Sequence, residues 1–256
     1  MILRPLEPVA PTSSEFLPAW NVIERTQRQA YKNCWMITQP SHAALAGEFA
    51  ASLTGAQVPK LDDAVLRAIA LHDAGWGVPD AQAIMQSRAV GQGNPKSFID
   101  CGASEFVAAW EKSIEIAESA GAAGGYVVSR HFARIAEHGL AKYPAADRQK
   151  VSRFLEHETA RQKKLAATQD HSAADLEQLT EVLRFCDLLS LYVCSDAREN
   201  AEFPEYFGVK ARLTVEAESY QLEPALIDAG AEFAVAALRH PAVRGESGKE
   251  IEIRFA

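Results

Sequence analysis

The 256-residue sequence lacks the features that would place it in a membrane or outside the cell. It has no run of about 18 apolar residues, which excludes a transmembrane helix. Its first residues, MILRPLEPVAP, show no charged segment followed by a long apolar one, so no secretory signal peptide is predicted. The four cysteines form no CxxC pair, and Cys186 and Cys194 lie in an apolar helical run typical of buried thiols. A soluble protein in the reducing cytoplasm is the location we expect.

Positive charge is also scarce, since 26 lysines and arginines stand against 34 aspartates and glutamates, for a formal net charge of −8. Nucleic acids and anionic membranes are bound by positively charged surfaces. We therefore expect neither a nucleic acid nor a membrane as the main partner. A local basic pocket for a small anionic substrate is still compatible with this composition. The sequence does not determine the oligomeric state, and it is compatible with a homo-oligomer.

Hydrophobic residues recur at helical spacing through most of the chain, whereas the two ends show short alternating patterns. The segments MILRPL, ARLTVEAESYQL, AEFAVAAL and KEIEIRFA are of the alternating kind, which is typical of strands. The patterns predict a mainly α fold with a small antiparallel β element formed by the N- and C-terminal segments. We place one helical domain at residues 20–205 and assign residues 1–19 and 206–256 to a small β-containing appendage.

One stretch inside the helical region, residues 78–104, is rich in glycine, proline and polar residues. We expect an irregular excursion there, because long irregular segments in compact helical domains often form lids or binding loops. The motif GQGNP within this stretch lacks the strand-loop-helix setting of a phosphate-binding loop.

A histidine and an aspartate, His72 and Asp73, stand together in IALHDAGWG, where an apolar helix runs into glycines. The dipeptide alone is a weak signal, but Asp187 interrupts LRFCDLLSLYVC, a helix that is apolar nearly all round. An ionised carboxylate in such a place is costly unless it is paired or coordinates a metal. A salt bridge to an arginine, Arg130 or Arg184 for example, and a metal site are both open explanations of Asp187.

Two further histidines, His42 and His131, lie on apolar helix faces in PSHAALAGEF and YVVSRHFARI. Each one alone is more typical of a core histidine than of a ligand. Three inward histidines with two acids are harder to explain independently, and imidazole with carboxylate suits Zn²⁺, Fe²⁺, Mn²⁺ or Ni²⁺. Such an ion would offset the free-energy cost of burying the ionised Asp187 carboxylate, lower the pKa of a bound water and polarise a phosphoryl oxygen.

The order of a histidine, a His-Asp doublet and a distant aspartate on helices resembles the HD-domain superfamily of metal-dependent phosphohydrolases. More narrowly, LHDAGW, VSRHF and FCDLLSLYVC resemble a bacterial HD-like family described as a domain of unknown function (DUF3891), over about residues 20–205. This resemblance implies an HD-domain-like helical bundle that binds one or two divalent transition metal ions (Fe, Mn, Ni or Zn). The metal ligands that it implies, with His131 as a second-tier member, are His42, His72, Asp73, His131 and Asp187.

Three residues are predicted to take part in catalysis. Asp73 would ligate the metal and orient its water, while Lys96 or Arg130 would neutralise the charge of the substrate. His157 has a spacing that suits a further ligand, but its charged neighbours in FLEHETARQ favour a solvated position, so it is left out of the set. Trp76 could line the substrate pocket beside the predicted metal site, although packing in the core is the more common role for such an aromatic residue.

The leading functional hypothesis is a metal-dependent hydrolase of a nucleotide or another small phosphorylated metabolite. Two alternatives stay open. HD-like folds with two irons can perform oxygenase chemistry, which would require His131, alone or together with His157, as a further ligand. The fold can also serve as a non-catalytic ligand-binding or interaction module, in which the polar set forms a buried hydrogen-bond network.

Overall fold

A computed structural model describes residues 1–7, 11, 14–88, 94–216, 219–243 and 248–256. Helices account for 54% of the described residues and strands for 19%. The α-helices of the described part are α1 (Ala19–Gln27), α2 (Gln39–Ser52), α3 (Asp63–Ala70), α4 (Gly77–Arg88), α5 (Ala103–Glu118), α6 (Ala122–Gly139), α7 (Ala145–Ala166) and α8 (Ala173–Cys194). Its strands are β1 (Ile2–Pro5), β2 (Leu17–Pro18), β3 (Cys34–Ile37), β4 (Ala201–Tyr206), β5 (Val209–Glu216), β6 (Ser219–Glu223), β7 (Glu232–His240) and β8 (Lys249–Phe255).

All eight strands join one curled sheet, a half-barrel, in the order β1-β3-β7-β8-β6-β5-β4-β2. The sheet is mixed, because β2 pairs with β4 and β6 pairs with β8 in parallel, while the other neighbours are antiparallel. Both ends of the described chain therefore contribute to the same sheet, together with β3 from the region between the first two helices.

The predicted fold class, a mainly α HD-domain-like helical bundle with a small antiparallel β element, is wrong. The sheet is larger than expected because β2, β3 and β4 did not stand out in the sequence. Strand β2 has two residues and β3 has four, which is too short for an alternating pattern to be distinguished from the flanking helices. The parallel pairs, β2 with β4 and β6 with β8, join strands that are not consecutive in the chain, and a local hydrophobic pattern does not indicate which of such strands pair.

Helices α2 and α8 connect the helical part of the molecule to this sheet. Phe49 on α2 meets the rings of Phe233 and Phe255 edge-on, at centroid distances of 4.8 and 5.7 Å. Helix α8 begins with a capping box between Ser172 and Asp175 and is buried along most of its length. It therefore provides a rigid central support for any side chain that projects from its inner face.

The stretch predicted to be irregular, residues 78–104, contains helix α4 and a short 3₁₀ turn at Phe98–Asp100. Helix α4 was missed because it has no apolar stripe, and Asp80 is its one buried residue in the described chain. Residues 89–93, which include most of GQGNP, lie outside the described residues. No helix in the described ranges is long and apolar enough to cross a membrane.

Candidate metal centre

Four separate helical regions bring the predicted ligands together. His42 lies in the first turn of α2, which begins where the hydroxyl of Thr38 accepts a hydrogen bond from the Ser41 N–H. His72 and Asp73 occupy the turn that follows α3, as the sequence suggested. The other two ligands project from the middle of long helices, His131 from α6 and Asp187 from α8.

The turn that carries the His-Asp doublet is pressed against helix α5. The N–H of Gly75 donates a hydrogen bond to the hydroxyl of Ser113 at 2.9 Å, and a Cβ at Gly75 would overlap the carbonyl oxygen of Ala109. Trp76 is buried and meets the ring of Phe106 edge-on at 5.4 Å. Trp76 therefore packs in the core, and the small size of Gly75 is what lets the doublet approach its position.

The carboxylate of Asp187 lies at the centre of the three histidines. Its Oδ1 is 3.2 Å from Nε2 of His42 and 3.3 Å from Nε2 of His72, and its Oδ2 is 3.5 Å from Nε2 of His131. Asp73 faces two of the same nitrogens, with Oδ2 at 3.6 Å from His42 and 3.9 Å from His72. The five ligand atoms form two groups that share His72, each group lying within 4.8 Å.

Burial is graded across the cluster. The side chains of His42 and His72 are fully enclosed, whereas those of Asp73 and Asp187 are 11% and 13% exposed. The opening is therefore on the carboxylate side. Neither arginine considered as a partner of Asp187 pairs with it in the described chain, because Arg130 contacts Glu177 and Glu137 while Arg184 contacts Glu181.

The hydrogen bonding of His72 tests whether the cluster fits a metal ion. Its Nδ1 lies 2.8 Å from the carbonyl oxygen of Ile69, and a carbonyl only accepts, so Nδ1 carries the proton. A neutral His72 then directs the Nε2 lone pair at Asp187, a repulsive contact unless a proton or a cation lies between them. Ligating histidines commonly use this arrangement, with the second ring nitrogen held by a carbonyl. A divalent transition metal therefore fits the donor set.

The other two histidines are not fixed in this way. Within the described residues, Nδ1 of His42 and Nδ1 of His131 are buried without a hydrogen-bond partner. Either ring nitrogen can therefore carry the proton. With the proton on Nε2 each imidazole would donate to Asp187, and with the proton on Nδ1 each would offer a lone pair to a metal.

The two carboxylates and three imidazoles shift one another's protonation. Burial opposes a charge on His72, but Asp73 and Asp187 outweigh it and raise the pKa of His72 to about 9. Burial dominates at His131, whose pKa falls to about 3, and at Asp73, whose pKa is raised. Burial also acts on Asp187, yet hydrogen bonds from His42 and His72 overcome it and lower the pKa of that carboxyl group. Asp187 is thus held ionised in the core.

The remaining predicted residues lie apart from this cluster. Arg130 is held by Glu177 and Glu137, and Lys96 is exposed in the segment before the 3₁₀ turn at Phe98–Asp100. His157 is 61% exposed and lies 3.3 Å from a carboxylate oxygen of Glu158, so the solvated position expected for it is correct. The structure therefore brings together the predicted metal ligands but not the two predicted substrate cations.

Near the cluster lie a cation that the sequence offered only as a salt-bridge partner of Asp187 and a tyrosine that it did not indicate. Arg184 is one turn before Asp187 on α8, its charge contributes to the lowered pKa of His131, and its guanidinium carbon is 5.2 Å from the ring centroid of Tyr206. Asp187 in turn contributes to the raised pKa of Tyr206. The three-residue spacing to Asp187 could have indicated Arg184, whereas Tyr206 on strand β4 had no local signal.

Comparison with known proteins adds one finding. The model of the family described as "Protein of unknown function (DUF3891)" matches residues 26–227, a stretch that contains all five clustered residues. The chain matches no curated protein and no solved structure. Because the family model covers well over half of the chain, this protein belongs to the DUF3891 family.

Proposed function

We propose that this protein is a metal-dependent phosphohydrolase of the HD type, acting on a nucleotide or another small phosphorylated metabolite. One observation carries the proposal: three imidazole Nε2 atoms and two carboxylates converge in a buried cluster that opens on its carboxylate side. The resemblance of the His, His-Asp, Asp order to the HD superfamily supports the same reading, and the substrate class follows from that resemblance.

In this proposal His42, His72, Asp73, His131 and Asp187 hold one or two ions of Fe, Mn, Ni or Zn. Such an ion supplies a lowered pKa for water and a polarised phosphoryl oxygen. The protein contributes the placement of the ligands, because each one projects from a helix or from a turn locked by packing. The Ile69 carbonyl keeps the proton of His72 on Nδ1, so its Nε2 stays directed at the site.

In this proposal Asp73 and Arg184 have roles beyond ligation. Asp73 is the partly exposed carboxylate next to His42, so it is placed to orient a water molecule and to accept its proton. Arg184 is the cation whose charge reaches His131, and we assign to it the neutralisation of substrate charge that was expected of Lys96 or Arg130. Its side chain is 30% exposed, which leaves the guanidinium reachable for a phosphate group.

The test is hydrolysis of p-nitrophenyl phosphate and of nucleoside monophosphates, with Mn²⁺ or Ni²⁺ supplied to protein purified without chelator. We expect metal-stimulated release of product, reduced at least about a hundredfold in His72→Gln and Asp73→Asn because each removes a ligand or the base. The matched control is Asp228→Asn, an exposed aspartate away from the cluster, which should retain full activity. Turnover that survives both site variants would refute the assignment.

Within the described part of the chain, Nδ1 of His42 and Nδ1 of His131 have no hydrogen-bond partner, which favours a second candidate, a non-catalytic module with a metal-free hydrogen-bond network. In that case both imidazoles donate from Nε2 to Asp187, and no stoichiometric metal is bound. A di-iron oxygenase is a third candidate, since His131 and Asp187 add ligand atoms beside the group formed by His42, His72 and Asp73. Oxygen consumption by the iron-loaded protein, without phosphate release, would select it over the hydrolase.

A further inference from the structure

A polar pocket of about 190 Å³ lies beside strand β8 and the segment that follows helix α8. Strands β1, β6 and β8 and the segment after α8 all contribute to its walls. The side chains that form it are predominantly basic, and they include Arg4, Arg198, Tyr220, Lys249, Glu252 and Arg254. Four cations and one carboxylate thus line the pocket, and Asp196 and Glu232 pair with three of these cations from outside the lining.

The floor of this pocket is a fixed pair of guanidinium groups. Oδ1 of Asp196 accepts hydrogen bonds from Nη2 of Arg4 at 2.8 Å and lies 2.7 Å from Nη2 of Arg198. The three side chains are only 12%, 14% and 2% exposed. Arg4 also donates to the carbonyl oxygen of Val193, at the end of α8. Both guanidinium planes are therefore oriented before any ligand arrives, which lowers the entropy cost of binding.

The rim adds two more cations. The ammonium of Lys249 lies 4.9 Å from the ring centroid of Trp35, and Arg254 pairs with Glu232 and Glu252. Lys249 adds its charge without a carboxylate partner among the described residues. The Tyr220 ring is buried beside Arg4, and its hydroxyl is a neutral donor for an oxyanion.

We propose that this pocket binds the phosphate group of a small molecule, either inorganic phosphate or a phosphate monoester. Arginine forks match the oxygens of a phosphate in a bidentate manner, and the volume admits one tetrahedral oxyanion with a small substituent. The pocket is separate from the metal centre, because Val193 follows Asp187 by six residues, about 9 Å along the axis of α8. It therefore binds phosphate without any metal ion.

The experiment measures binding to protein treated with EDTA and dialysed, so that the metal centre does not contribute. Inorganic phosphate and methyl phosphate are titrated by calorimetry and thermal denaturation, with sodium chloride at matched ionic strength as the reference. The variant is the double substitution Lys249→Gln with Arg254→Gln, which changes partly exposed rim residues and leaves the buried floor intact. Lys112→Gln, an exposed lysine on α5 paired with Glu115, is the matched control.

We expect both phosphates to stabilise the wild-type protein more than chloride does, and the double variant to bind at least about tenfold more weakly, since two charge-assisted contacts are lost. Lys112→Gln and Asp187→Asn should bind as the wild type. If methyl phosphate alone binds, the site takes an ester; if inorganic phosphate binds equally well, the anion itself is recognised. Equal effects of phosphate and chloride, an unaffected double variant, or loss of binding in Asp187→Asn would each overturn the proposal.

Discussion

Binding of a divalent metal to the His/Asp cluster should release a proton from His72. Although burial opposes its charge, the neighbouring carboxylates of Asp73 and Asp187 raise the pKa of His72 to about 9 in the metal-free protein. At pH 7 the ring is then about 99% protonated, since each pKa unit above the pH is a factor of about ten. A histidine coordinates a metal through an unprotonated nitrogen, so metal binding removes this proton from His72.

The size of the pH effect on metal affinity follows from the same pKa of His72. Between pH 6.5 and 9 the apparent affinity for Mn²⁺ or Zn²⁺ should rise by about tenfold for each pH unit and then level off. His131, with a pKa of about 3, and Asp187, with a lowered pKa, are already deprotonated in this range and contribute no proton. Isothermal titration calorimetry at pH 7 in PIPES, HEPES and Tris gives the proton count from the dependence of the heat on buffer ionisation enthalpy.

The free energy of unfolding should show the opposite trend in the metal-free protein. The folded-state pKa of His72 is above the unfolded value of about 6.5, so its stabilisation is present below pH 6.5 and is lost as the pH rises through 9. The loss is on the order of 3 kcal/mol, and it should vanish with saturating metal and in His72→Gln. A proton count of zero, with flat affinity and flat stability from pH 6.5 to 9, would refute the reasoning.

Three further predictions concern packing and the substrate cation. Gly75→Ala should lower the free energy of unfolding by about 1–3 kcal/mol and reduce metal uptake, because the added Cβ overlaps helix α5. Gly77→Ala is the control and should be tolerated, because the nearest atom to its added Cβ is 3.9 Å away. Phe49→Ala should cost about 3–5 kcal/mol in urea denaturation, since this buried ring joins α2 to two strands, and a cost below 1 kcal/mol would contradict that role. Arg184→Gln should lower kcat/KM for a phosphate ester about tenfold while Arg130→Gln leaves it unchanged; the reverse pattern would restore Arg130 to the site.

Three of the five clustered residues could be predicted because each one violates the local pattern of its helix. Asp187 stands in a helix that is apolar nearly all round, and His42 and His131 lie on apolar faces, so burial of polar groups at those positions was already implied. Their convergence on one point was suggested by the family resemblance and not by any spacing. The two predicted substrate cations stay untested: Arg130, next to an inward histidine, pairs with Glu177, and Lys96 is exposed.

The fold was predicted less well than the cluster. Strands β5 to β8 carry alternating burial, which the sequence pattern shows, but the size and mixed character of the sheet depend on β2, β3 and β4. Strands β2 and β3 are short and are defined by hydrogen bonds to other segments, as in the parallel pairing of β2 with β4, and β4 is interrupted by Pro204 and by a register shift between Glu202 and Glu205. Helix α4 was missed for a related reason, since its mostly solvent-facing residues leave no hydrophobic period to detect.

The most direct test of the metal centre is the metal content of the protein purified without chelator, measured by inductively coupled plasma mass spectrometry. The wild type should contain at least one Fe, Mn, Ni or Zn ion per chain, while Asp187→Asn and His72→Gln should contain much less at equal folded fraction. Asp228→Asn should match the wild type. Less than about a tenth of an ion per wild-type chain, with none taken up from added Mn²⁺, Ni²⁺, Fe²⁺ or Zn²⁺, would contradict the account.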